Sequence, residues 1–228
     1  MVFSGRRLIQ VLIVLNFILL ICYVLAFRVL EIPSYTFNQW FDIDSEHNLP
    51  TYLSSLQLLI VALLSAWRGE QRASGDPAHL VRFYRVMAGG FLFLSVDEVA
   101  QIHEGLTILM ANLGVNSPFP GGFGIWILIY PLLALGLLLL VWRGFRAFLA
   151  QTSGRSTFFL GVCCYLGGGV LVELGSYFFA SPGEASQFYF VLVEESLEVA
   201  GQILMVAGLL ERNRDSVLSL SGGSALRE

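Results

Sequence analysis

A chain of 228 residues with 56% apolar side chains, only 13% charged residues and a mean hydropathy of +0.71 is too apolar for an ordinary water-soluble domain. Several apolar runs reach the roughly 20 residues that crossing a bilayer requires. The net charge of −4, with no basic cluster and no Walker A, GxGxxG or CxxC pattern, argues against nucleic-acid binding, phosphate loops and thiol redox chemistry.

Arg6 and Arg7 lead into an apolar stretch over about 8–30. It is longer than a signal-peptide core and no A-x-A cleavage site follows, so a retained first helix is expected. A mixed segment follows to Pro50; its aromatics suit a membrane–water interface, with a short interfacial helix over 37–41. Asn48 or Thr51 can cap a second helix over 51–67, with Pro50 tolerated in its first turn. Thr51, Ser54 and Ser55 share one face of it, which should point at other helices. A polar connection over 68–79 precedes a third helix over 80–113, longer than a bilayer is thick. The turn-rich run 116–122 ends it. A fourth helix is expected over 125–142, a fifth over 158–179 and a sixth over 187–210. Gly167, Gly168 and Gly169 interrupt the fifth, a sign of close helix approach. The whole reads as one all-α domain over 1–212, a polytopic bundle of six transmembrane helices, with a polar, disordered tail over 213–228.

Six helices put both termini on one side, and arginine chooses the side, for the chain has no lysine. Arg6, Arg7, Arg68, Arg72, Arg82, Arg85, Arg143, Arg146, Arg155, Arg212, Arg214 and Arg227 fall together, and only Arg28 falls opposite. The positive-inside rule makes the shared side cytoplasmic, as in a bacterial cytoplasmic (inner) membrane.

The acids collect at the other end. Asp42, Asp44 and Glu46 lie in the first outer segment, Asp97, Glu98 and Glu104 on the third helix, Glu173 on the fifth, and Glu194, Glu195 and Glu198 on the sixth. Ionisable groups at bilayer depth cost roughly 2.5–3.5 kcal/mol each on insertion scales, so they are expected to face a wet cavity rather than lipid. With no arginine or lysine beside them, they either hold protons or share a cation. On an unbroken third helix Asp97, Gln101 and Glu104 would share one face. Glu194, Glu198 and Gln202, four residues apart, share one face of the sixth.

Carboxylates with His103 and His47 form a ligand stock for a divalent metal: Zn, Fe, Mn or Ca. The expected ligands are Asp97, His103, Glu104, Glu194, Glu198 and His47, with Glu98 and Glu104 as catalytic candidates. Neither the Glu-x-x-His pairs of di-metal bundles nor an H-E-x-x-H motif is present, so the expectation rests on composition and depth. The bland alternative is a set of protonated, helix-bridging acids without chemistry.

Residues 41–51, FDIDSEHNLPT, and 93–104, FLSVDEVAQIHE, resemble segments of uncharacterised bacterial multi-pass membrane proteins, which implies the fold and brings no activity. Ser54 or Ser55 with Asp97 and His103 also invites comparison with alkaline-ceramidase-like hydrolases, but the late H-x-x-x-H pair of that scheme is missing. The leading reading is a membrane-embedded, metal-dependent enzyme with an outer-facing cavity and a lipid-like substrate. A small proton-coupled or cation transporter and a non-catalytic subunit of a membrane complex are the alternatives.

Overall fold

The computed structural model describes residues 5–29, 39–72, 77–122, 124–150, 153–180 and 185–222, with the side chains of residues 72, 121 and 212–222 left aside. Every regular element among them is helical. α1, Gly5–Val24, continues as a π-helical turn, Leu25–Val29. α2 is Leu49–Arg72 and α3 Ala78–Ala100. α4, Ile102–Asn112, follows at once. α5, Trp126–Leu140, is followed by α6, Trp142–Ala150. α7, Arg155–Leu166, passes through a π-helical stretch, Gly167–Val172, into α8, Glu173–Phe179. α9 is Ala185–Gly222. Of the interfacial helix expected over 37–41, residues 39–41 are helical and 37–38 lie outside the described residues.

Three of these segments are long and apolar enough to cross a membrane: Gly5–Val29, Leu49–Gln71 and Arg155–Phe179. α5 with α6 makes a fourth if a pair bent by 79° counts as one span. Six spans are therefore not all evident from length and composition. α3 and α9 have the length, but Arg82, Arg85, Asp97 and Glu98 on one and Glu194, Glu195 and Glu198 on the other lower their hydropathy. Leu132, Leu133, Leu137, Leu139 and Leu140 of α5 are exposed, as they would be against lipid. These features are compatible with a membrane protein.

Several expectations change in detail. The third helix is not continuous: Gln101 takes a left-handed conformation, φ 53° and ψ 40°, and divides it into α3 and α4. Asp97, Gln101 and Glu104 therefore do not lie on one uninterrupted helical face. The fourth helix turns sharply at Val141, and its arginines fall on the separate α6. Helix α9 runs to Gly222, so the tail expected to be disordered from 213 begins as helix. No proline or glycine stands between Leu209 and Gly222 to stop it. Residues 223–228 lie outside the described set.

α2 packs along α3, and α9 packs along α7 and against α2 and α1. The α7–α9 contact follows from a seven-residue glycine register on antiparallel helices. Gly154, Gly161 and Gly168 approach Gly208, Gly201 and Glu194 in that order. A Cβ on Gly161 would stand 2.7 Å from the Gly201 carbonyl oxygen, so the backbones touch and only glycine fits. The main apolar core, with Leu12, Val61, Phe83, Tyr84, Phe148, Phe158 and Met205, lies toward the arginine-bearing end. It anchors the bundle there, and a smaller apolar cluster of Tyr23, Ile43 and Val191 draws the segment before α2 onto α1 and α9.

Candidate metal centre

The site is built on the two places where the backbone departs from regular helix. In the segment before α2, Asp42 accepts from the Asp44 amide at 3.2 Å and from the Ser45 hydroxyl at 2.8 Å. The Asn48 side-chain amide donates to the carbonyls of Asp42 and Ser45. The same side chain caps α2, since its Oδ1 accepts from the Thr51 amide at 3.1 Å. Between these ties His47 adopts φ 62°. The effect is to turn the His47 side chain outward, exposed, and the half-buried Glu46 inward.

The second departure is at Gln101. A left-handed conformation in a non-glycine residue costs about 1–2 kcal/mol. Asp97 offsets it by reaching past the break: its Oδ1 accepts from the His103 amide at 2.9 Å and from the Tyr130 hydroxyl at 3.1 Å. Asp97 thus stands in for the missing cap of α4, one of whose first N–H groups would otherwise lack a partner. The carboxylate's other oxygen, Oδ2, lies 3.3 Å from His103 Nδ1. Trp126 packs edge-on against the imidazole at 5.2 Å between ring centroids, so the ring is held from two sides.

With Nδ1 given to Asp97, Nε2 of His103 faces Glu46 Oε1 at 3.4 Å. Glu46, His103 and Glu104 each present one ligand atom, and these atoms lie within 4.8 Å of one another. Glu104 is exposed and sits in the first turn of α4, where the helix dipole favours a negative charge. Glu46 Oε2 is buried with no hydrogen-bond partner. Burial pushes the Glu46 carboxyl up to about 7, with Glu104 and Glu98 adding to the rise and His103 and a Gln101 hydrogen bond opposing it. A carboxylate held in this way accepts a proton near neutrality or a cation instead.

Of the residues expected from sequence, His103 and Glu104 fall in this group and Asp97 supports it from behind. Glu98, on α3, accepts a hydrogen bond from Ser54. Ser54 in turn accepts from the Gln202 side chain of α9 at 2.7 Å. Glu198 leans on Gly169 in the π-helical stretch, where any side chain would displace it. It lies within electrostatic reach of Glu195, Glu98, Glu194 and Glu173, on α9, α3 and α8. Yet Glu194, Glu198 and His47 are not in the ligand group among the described residues. Ser54 on α2 bridges α9 and α3, and Glu195 and Glu198 lie within electrostatic reach of Glu98.

Glu46, Tyr130 and Trp126 are the participants that sequence reasoning passed over. Glu46 had a legible signal, standing one residue before His47 in a wound segment that ends in a helix cap. The choice between the two neighbours depends on the backbone turn at His47. Tyr130 and Trp126 had no signal, because aromatic residues at the start of an apolar helix usually pack against lipid or core.

Comparison with curated proteins and with solved structures gives no match. A family model described as a domain of unknown function, DUF8692, matches residues 11–212, from the first helix to beyond the acids of α9, and the chain belongs to that family.

Proposed function

We propose that the protein binds a divalent metal through Glu46, His103 and Glu104. The observation that carries this reading is the convergence of three ligand atoms within 4.8 Å, with the far nitrogen of the imidazole engaged by a carboxylate. A ligating histidine normally donates its second N–H in this way, which fixes its tautomer and aims the free nitrogen at the ion. The unpartnered Glu46 Oε2 supplies a further acceptor. Carboxylates with one imidazole suit Zn, Fe, Mn or Ca.

The setting is a multi-pass protein of a bacterial cytoplasmic membrane, with six spans and both termini cytoplasmic. α3 and α9 complete the six, their low hydropathy arising from Arg82 and Arg85 and from the acids they carry. A helix can cross with such groups when they face protein rather than lipid. The distribution of arginine and acid to opposite ends supports that orientation. On this reading the protein is a membrane-embedded enzyme for a lipid-like substrate, with no part for nucleic acid. A bound metal supplies Lewis acidity and an activated water. Glu98 and Glu104 are the carboxylates we assign to that chemistry, with Ser54 beside Glu98.

Metal analysis of detergent-purified protein, stripped with chelator and reloaded, tests the site. About one equivalent should return to the wild type, and Glu46→Gln or His103→Ala should lose most of it, whereas Glu194→Gln should keep it. Absence of reloading, or full retention by both of the first two variants, would discard the metal. The transporter reading draws on one observation, buried polar pairs further along the bundle: Gln202 with Ser54, and Asn16 with Gln57 at 3.1 Å. Cation-driven proton flux in liposomes would favour it.

A further inference from the structure

The end remote from the acids has a surface of opposite sign. α6 leaves α5 at 79° and is fixed on the bundle by one face. Gly144 and Phe148 are buried there, and a Cβ on Gly144 would come within 2.6 Å of Phe83 Cβ. Arg143 and Arg146 are exposed on its other face. A helix divided in this way at the end of an apolar span lies along a membrane surface.

Between α6 and α7 runs a groove lined by Phe145, Leu149, Arg155, Ser156 and Phe159. Its wall is mainly hydrocarbon, with one guanidinium and one exposed hydroxyl. Arg155 donates through Nη1 to the Leu149 carbonyl, which ties the two helices together and leaves the other donors of the guanidinium outside that bond. α7 begins here with Gly154 as its cap residue and no side-chain cap, so no capping side chain occupies its first N–H groups. Glu211 bonds Thr157, which at about 100° per residue lies on the face of α7 turned away from the groove.

We propose that this groove binds an anionic phospholipid of the surrounding leaflet. The phosphate meets Arg155, Ser156 and the first N–H groups of α7, and an acyl chain runs along Phe145, Leu149 and Phe159. Arg143 and Arg146 add attraction for an acidic headgroup, and no carboxylate lines the groove to pair with a choline. The inference is independent of the metal centre.

The test is native mass spectrometry of the full chain in detergent, titrated separately with phosphatidylglycerol, phosphatidylcholine and inorganic phosphate. Phosphatidylglycerol should bind about tenfold more tightly than phosphatidylcholine, an energy difference of about 1.4 kcal/mol. Arg155→Gln and Ser156→Ala should each reduce that preference at least about threefold, and so should the exposed double variant Arg143→Gln/Arg146→Gln. Where Arg155→Gln fails to fold, Ser156→Ala and the double variant decide. Equal binding of the two lipids, a preference unaltered in the folded variants, or equal retention of free phosphate would overturn the proposal.

Discussion

Asp97 does three jobs with two oxygens, and each follows from its being a buried carboxylate at a helix break. It accepts the His103 amide, accepts the Tyr130 hydroxyl and faces His103 Nδ1. Asparagine at this position can still cap a helix, but it carries no charge to hold the imidazole. Asp97→Asn should therefore keep the fold and lower metal affinity about 10–100-fold, as the loss of a carboxylate behind a ligating histidine does elsewhere. Calorimetric titration of the variant with zinc checks this. Unchanged affinity would mean that Asp97 serves only as the cap of α4. Ser55 and Ser95 illustrate a simpler case: each hydroxyl donates to the other residue's carbonyl, at 2.7 and 2.9 Å, and locks α2 to α3 just beneath the site.

Among the elements, the α7–α9 pair bears most directly on the acids. Its glycines bring the two backbones into contact, and the π-helical stretch Gly167–Val172 gives Glu198 its room. Adding one methyl at the seam forces the helices apart. The Cβ of Gly201→Ala would stand 2.5 Å from the Tyr165 amide nitrogen and 2.6 Å from the Gly161 carbonyl oxygen. Overpacking of this kind costs about 1–3 kcal/mol, here against backbone that cannot rotate away. Gly201→Ala should lower the melting temperature in detergent by several degrees. Gly89→Ala, where a Cβ meets nothing within 4 Å, is the control and should melt at or slightly above the wild type, since alanine is the better helix former.

At the scale of the whole molecule the chain divides into an aromatic core toward one end and a polar, acid-lined interior toward the other. Van der Waals packing holds the first, and the Tyr23, Ile43 and Val191 cluster packs beside the polar residues of the second. The arrangement makes a statement about sidedness that reporter fusions can check. A fusion after Arg72 should report the cytoplasm and one after Asn116 the opposite side. The reverse pattern would place the proposed metal site at the cytoplasmic face.

The sequence by itself determined the helical class and the long apolar segments, and it raised the expectation that most acids collect away from the arginines. These are properties of composition and period: apolar runs and charge counts are additive along a chain and need no knowledge of contacts. It also made the Asn48 cap legible, since the signal is local. What only the tertiary structure decided was which polar residues meet. Asp97-Glu98-Val99-Ala100-Gln101-Ile102 contains neither glycine nor proline, so nothing local marks the break at Gln101. It is sustained by Asp97 and by Tyr130, 33 positions further along the chain. Likewise Glu46 rather than His47 turns inward because of a single left-handed residue held by hydrogen bonds around it. Ligand groups depend on side-chain direction, and a change of one backbone angle redirects a side chain without altering the hydrophobic pattern from which the helices are read.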